Sequence, residues 1–215
     1  MNMPNITLVV ATDKNNAIGI NNTLPWKVPS ELSLFKQYTK NKLLICGKNT
    51  FVSLPFILPD RDMIVLSSKD ETKNIMSEKL DNFKNKFPEK EIPFLALANT
   101  FDSLVDFLLN LEKNYDEICV IGGGQIYELF YPIADKIRHT IINCEIDNAD
   151  VFFDLPNSNY WLLKNKNNYE QQKNDQYSFC IYELIKKKSA NIISFKTKKQ
   201  LSKEEIIKIR LNLDG

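Results

Sequence analysis

The sequence predicts an α/β fold: one domain on a mostly parallel central sheet of about eight strands, with flanking helices and an antiparallel hairpin at its C-terminal edge. Three observations point there. Short apolar runs recur without strict polar alternation, as expected for strands covered on both faces. Helical patterns fall between them, the order of a parallel sheet joined by crossover helices. Two late segments, Tyr160–Lys166 and Tyr177–Ile185, can pair with each other as a hairpin.

Taken in order, the first strand is Ile6–Ala11, an unbroken apolar run. A helix over Glu31–Thr39 follows, because Pro29 suits a first helical position and Glu31, Phe35 and Tyr38 then share one face at i, i+4, i+7. Strands are expected at Leu43–Cys46, Met63–Leu66, Phe94–Leu97, Ile118–Ile121 and Thr140–Ile146, with helices at Thr100–Leu111 and Gln125–Tyr131. The lysine-rich stretch at about 70–93 shows no strong apolar face and reads as a surface insertion with helical potential over Ser77–Glu91.

The 43% hydrophobic content supports a full core, and 26% charged residues is ordinary for a soluble protein. Net charge is +1, but unevenly placed. Residues 1–185 hold 19 basic and 24 acidic side chains; residues 186–215 hold 9 and 3. An acidic body argues against nucleic-acid binding by that body. The chain is therefore expected to divide into a main domain over 1–188 and a basic extension over 189–215. In the extension, Ser202 and Glu205 form a capping-box pattern ahead of Ile206, Ile209 and Leu213, which suggests a short amphipathic helix. That helix either docks on its own body or offers a surface for a protein partner or self-association.

Cys46, Cys119, Cys144 and Cys180 make no CxxC pair and read as reduced structural thiols of a cytoplasmic protein. With His139 as the only histidine, no metal site is expected. The run Ile6–Ala11 is too short for a signal peptide or a membrane span.

Four stretches carry chemistry. In "VIGGGQIYELF" a strand enters three glycines and leaves into a helix, so main-chain N–H groups face an approaching anion. A tight strand-to-helix turn has the same appearance. In "LLICGKNTFVSLP" a strand runs through Gly47 to Lys48, Asn49 and Thr50, and "MIVLSSK" repeats the device with Ser67, Ser68 and Lys69. Each alone is also what a solvated turn looks like. Three such strand ends on one α/β sheet favour a nucleotide crevice. The fourth is "AIGINNTLPWKVPSELSLFKQYT", where Glu31 is either a helix-start acid favoured by the helix dipole or a functional carboxylate.

These segments, with "CGKNTF", "LPDRDMIVLSS" and the late "YSFCIYE", resemble dihydrofolate reductase in order and approximate spacing, over about residues 5–186 with a longer connection between Ser68 and Phe94. The resemblance implies reduction of dihydrofolate to tetrahydrofolate with NADPH. It implies that Glu31 binds pterin N3 and the 2-amino group and favours N5 protonation, with hydride passing to pterin C6. Thr140 matches the residue that hydrogen-bonds this acid, Trp26 one that holds a nearby water, and Leu24 belongs with Asn22 to the loop over the nicotinamide. His139 is then a neighbour, not a base.

By the same resemblance, Val9, Val10, Ala11, Leu32, Phe35, Leu54, Leu58, Ile121 and Tyr127 line the folate site, and Arg61 binds the glutamyl α-carboxylate. Ala11, Ile18 and Gly19 meet the nicotinamide end of the cofactor. Gly47, Lys48, Asn49, Thr50, Leu66, Ser67, Ser68, Lys69, Ile121, Gly122, Gly123, Gly124, Gln125, Ile126 and Tyr127 hold the rest, with a cis peptide joining Gly122 and Gly123. Lys48 and Gln125 stand where many members carry arginine, so the preference for NADPH over NADH is expected to be weaker. Asp60 and Pro55 also depart from the usual pattern. Two rivals share parts of this reading: a pyrimidine reductase of riboflavin synthesis on the same fold, and a noncatalytic folate- or nucleotide-binding protein.

Overall fold

In the computed structural model, residues 4–187 are described. The features expected of the C-terminal extension lie outside them. Ten strands and five helices follow one another as β1 (Asn5–Thr12), β2 (Ala17–Gly19), α1 (Pro29–Thr39), β3 (Leu43–Gly47), α2 (Lys48–Ser53), β4 (Asp62–Leu66), α3 (Glu71–Lys86), β5 (Leu95–Ala98), α4 (Phe101–Leu109), β6 (Glu117–Val120), α5 (Gly124–Phe130), β7 (Lys136–Ile142), β8 (Val151–Phe152), β9 (Trp161–Tyr169) and β10 (Phe179–Lys186). Eight of them form one sheet in the order β5-β4-β3-β6-β1-β7-β10-β9. The first six neighbours pair in parallel, and β10 is antiparallel to both β7 and β9. This is the expected sheet with its C-terminal edge hairpin.

Alternation along β1 divides the core. Ile6, Leu8 and Val10 enter one cluster with Leu43, Ile45, Ile64, Val120 and Ile137. Val9 faces the other way, into a cluster with Leu44, Cys46, Phe51, Leu58, Met63, Phe83 and Ile121. The second face is also where Phe35 and Tyr38 bring α1 down onto the sheet.

Three sequence expectations need correction. The segment at 70–93 is no mere surface insertion: α3 buries Phe83 fully and packs Ile75, Met76, Leu80 and Phe87 on the second cluster. Met76, Leu80, Phe83 and Phe87 keep a helical stripe that the intervening lysines disguise. The strand expected at Thr140–Ile146 begins earlier, at Lys136 and ends at Ile142. Its charged first half belongs in the sheet because Lys136 lies 3.6 Å from Glu117 and Arg138 pairs with Glu183 at 2.7 Å. The turn expected at Lys48–Thr50 is the first turn of α2.

Candidate active site

Parallel strands deliver their C-terminal ends to one rim, and the site is built there. The main-chain N–H of Gly47, ending β3, donates to the Gly122 carbonyl beyond β6 at 2.7 Å. The Gly122–Gly123 peptide is cis and Gly122 has φ of 104°. A Cβ on Gly122 would sit 3.0 Å from the Tyr127 ring, so both the backbone angle and the space require glycine. A Cβ on Gly124 would meet Val151 at 3.0 Å and lie 3.9 Å from Ile18. The short β2–β8 ribbon, which pairs Ala17 with Phe152 and Gly19 with Val151, therefore folds directly over the glycine turn. Its tip is anchored by the Asn21 N–H, which donates to Asp150 at 3.0 Å. Asn22 follows with φ of 60°, and Leu24 projects apolar surface, 58% exposed.

Across the rim stands α1. Asp175, from the β9–β10 connection, accepts from the Ser30 N–H at 3.0 Å and from its hydroxyl at 2.5 Å, fixing the start of the helix. Glu31, one residue on, is half-buried, and its Oε1 accepts from the Thr140 hydroxyl at 3.2 Å. Burial raises the Glu31 carboxyl above the usual range; the Thr140 bond and then the Arg138 charge pull back against it. Trp26 is buried beside Val28, Ile142 and Ile181, with Ala11 packed on that group.

Between Glu31 and the sheet, Val9, Leu58 and Ile121 are buried, Phe35 and Leu54 pack against them, and Leu32 is exposed on the helix. The structure thus brings Val9, Phe35, Leu54, Leu58, Ile121 and Arg61 to one side of the sheet. Val10 is different. Its side chain enters the opposite core, so it does not line the same wall as Val9. Tyr127 is also in that core, and its hydroxyl reaches through to donate to the Val9 carbonyl at 2.7 Å. Its N–H and that of Ile126 both donate to the Gly123 carbonyl, so neither is a first-choice donor to a ligand. Gly123 and Gly124 are the half-buried part of the turn, with exposed Gln125 beside them.

Arg61 is only 7% exposed. Its Nε donates to Thr39 Oγ1 at 3.0 Å, Nη1 to the Pro59 carbonyl and Nη2 to the Lys36 carbonyl. These bonds leave one hydrogen on each terminal nitrogen, a planar two-donor fork. Ser67, expected at the cofactor, is buried with local partners. Its hydroxyl lies 2.8 Å from Thr72 Oγ1 and accepts from the Lys69 N–H, so it builds the entry to α3. Ser68 and Lys69 are the exposed groups of that strand end, Leu66 is half-buried, and Asn49 and half-buried Thr50 open α2.

His139 has no place in the cleft. It lies 2.9 Å from Thr12 Oγ1 on the opposite face and burial pushes its pKa down to about 4, so it is neutral near pH 7. The residues that sequence reasoning passed over are Asp175, Glu71 and Arg138. Only Arg138 left a usable signal, since a residue two before Thr140 on a strand shares its face.

A family model described as dihydrofolate reductase matches residues 5–186. The dihydrofolate reductase of Haemophilus influenzae is 31% identical over 182 residues, covering 85% of this chain and 98% of that protein. That of Bacillus subtilis is 30% identical over 179 residues, covering 83% and 94%. Among solved structures, dihydrofolate reductase from Enterococcus faecalis, complexed with NADP(H) and RAB-propyl, matches with a TM-score of 0.65 at 20% identity, covering 85% of this chain and 96% of that one. This last likeness speaks to the fold.

Proposed function

This chain belongs to the dihydrofolate reductase family, and from that we propose how its cleft reduces 7,8-dihydrofolate to 5,6,7,8-tetrahydrofolate with NADPH. One observation carries the reading: a half-buried acid, held by Thr140, faces an apolar wall beside a glycine turn that a Cβ would fill. Ionised Glu31 has two acceptor oxygens in a plane, the complement of the N3–H and 2-amino donors of a pterin. Held there, it orients the ring and favours a proton at N5. Val9, Ala11 and Ile121 form the floor; Leu32, Phe35, Leu54 and Leu58 form the wall; and the Arg61 fork takes the glutamyl carboxylate.

The residues fit NADPH. The glycines at 47 and 122–124 admit a phosphate against the main chain, and Lys48 and Lys69 supply positive charge at the adjoining strand ends. When bound, NADPH supplies the hydride that goes to pterin C6. Ala11, Ile18 and Gly19 face the nicotinamide end, with Leu24 as a cover against water. Thr50, Leu66, Ser68 and Gln125 flank the adenosine end. The reading is tested by following NADPH absorbance on adding dihydrofolate. The absence of any dihydrofolate-dependent absorbance loss defeats it, and turnover of a ribosylaminopyrimidine phosphate instead favours the riboflavin-pathway alternative.

Cofactor preference has a local opponent. Lys48 Nζ lies 2.5 Å from Glu71 Oε1 in the first turn of α3. A phosphate arriving at Lys48 must draw it from that acid, and lysine offers no second donor plane. Glu71→Gln is expected to tighten NADPH several-fold and leave NADH unchanged in fluorescence titrations. An equal effect on both cofactors would show that Glu71 does not act on the 2′-phosphate.

We place the enzyme in the cytoplasm. Cys46, Cys119 and Cys144 are buried free thiols, and burial pushes Cys46 and Cys119 up to about 12, which makes them poor nucleophiles. No helix among the described residues is long and apolar enough to cross a membrane. The extension at 189–215 we assign to protein association or self-association rather than chemistry, since the family match ends at residue 186. Truncation after Lys188 should leave kcat and KM within about twofold, as expected of a segment beyond the family match, and change light scattering, melting or pull-down behaviour. No change in any of the three makes the extension inert.

A further inference from the structure

Two cross-links tie α1 to β7. The first is the Thr140 hydroxyl on Glu31. The second lies two helical turns further on: the Arg138 guanidinium sits over the Tyr38 ring, 4.4 Å from its centroid. Arg138 and Thr140 are two residues apart on a strand and Glu31 and Tyr38 seven apart on a helix, so both links lie on matching faces. Arg138 is 13% exposed, and its Nη1 donates to Glu183 on β10 at 2.7 Å. A cavity of about 260 Å³ opens beneath, lined by Thr7, Tyr38, Glu117, Lys136, Arg138 and Glu183 among others.

We propose that Arg138 is a positioning residue for Glu31, setting the charge and orientation of the pterin clamp from behind the cleft, with Glu183 setting how much of the arginine's charge reaches it. This rests on the role proposed for Glu31. The charged groups around it divide into two sets. The Thr140 hydroxyl on β7 touches the carboxylate, while Arg138 on β7 and the Tyr127 hydroxyl from α5 couple to it electrostatically. A second set, Glu117 on β6 with Lys42 and Lys136, and Lys164 on β9, gathers around the cavity that Tyr38 and Arg138 also line. Glu117 is satisfied within that set, accepting from Thr7 at 2.5 Å and Tyr38 at 2.9 Å as well as from Lys42. Its charge is therefore matched locally. Arg138 lies over the Tyr38 ring of the helix that carries Glu31, and its positive charge opposes the effect of burial on Glu31.

A merely structural Arg138 would cost stability and rate without moving an ionisation. The proposal requires movement, with a sign. Carboxyl-selective 13C NMR of the ligand-free protein, with Glu31→Gln identifying the resonance, should show Glu31 titrating about one pH unit higher in Arg138→Gln. Arg138→Lys should restore most of that shift, since charge is kept. Glu183→Gln should move Glu31 the other way, because the arginine loses its counter-charge. Lys164→Gln, at a residue that lines the cavity but has no charge coupling to Glu31, should leave it in place. Single-turnover hydride transfer should show the same displacements in its pH profile. Should Arg138→Gln fail to fold, the opposite-signed Glu183→Gln shift decides the matter alone. An unmoved Glu31 resonance in both variants overturns the proposal, even if Glu31→Gln abolishes turnover. Retained turnover in Glu31→Gln is the separate failure of the clamp itself.

Discussion

Glu31→Gln is expected to slow hydride transfer at neutral pH by about two to three orders of magnitude, the usual scale for removing an oriented charge or proton-transfer partner. NADPH affinity should stay nearly intact. The amide keeps the size of the carboxylate and can still accept from Thr140. It cannot accept from two neighbouring donors, because one of its ends is now a donor itself. The pterin therefore loses both a bond and the negative charge that favours a proton at N5. Stopped-flow single turnovers measure the rate, and cofactor fluorescence measures the binding; an unchanged rate would remove Glu31 from the mechanism. Stability should move in the opposite direction. A carboxyl whose folded value is raised gives up stability as pH climbs through that value, so ionisation of Glu31 costs the ligand-free fold stability. Glu31→Gln should melt no lower than the parent at pH 7, and any advantage should shrink as pH falls toward the acid range.

The local motifs were legible because their physics is local. Pro29 and Glu31 state the start of a helix, Gly122–Gly124 state a turn without side chains, and the unbroken apolar runs state covered strands. What escaped depends on partners far along the chain. Lys136 and Arg138 look like surface residues until Glu117 and Glu183 are brought across the sheet, which is why β7 was expected four residues too late. Cys144 and Ile146, apolar enough to suggest a continued strand, instead turn to bond the segment after β1: the Lys14 N–H donates to the Cys144 carbonyl and the Ile146 N–H to Asp13. The ribbon β2–β8 is too short to show a period at all. Within the site, Val10 shows the limit of transferring a run of positions as a block. Neighbours on a strand face opposite ways, and only Val9 and Ala11 can share a floor.

Phe83→Ala is expected to cost about 3–5 kcal/mol, the range for emptying a large aromatic site in a well-packed core. The sequence suggested a surface segment here, for which the change would be worth about 0.5 kcal/mol or less. In the structure Phe83 is fully buried, its ring 5.2 Å from Phe87, which in turn meets Phe56 edge-on at 5.3 Å. Lys79, one turn before it, donates to the carbonyls of Leu54 and, at 3.2 Å, Val52. These contacts run from α3 into the segment that carries Leu54 and Leu58, so the helix supports the proposed wall of the folate site from behind. Thermal melting should therefore fall by roughly 10 °C for a chain of this size, against almost no change for Lys84→Ala, whose side chain is 48% exposed. Below the melting range, KM for dihydrofolate should rise more than KM for NADPH, because Phe83 lies about three turns along α3 from Glu71 and Thr72, the part of that helix beside the cofactor strand ends. A melting point within a degree or two of the parent would return α3 to the surface. A KM that rises equally for both ligands would leave it in the core but detach it from the wall.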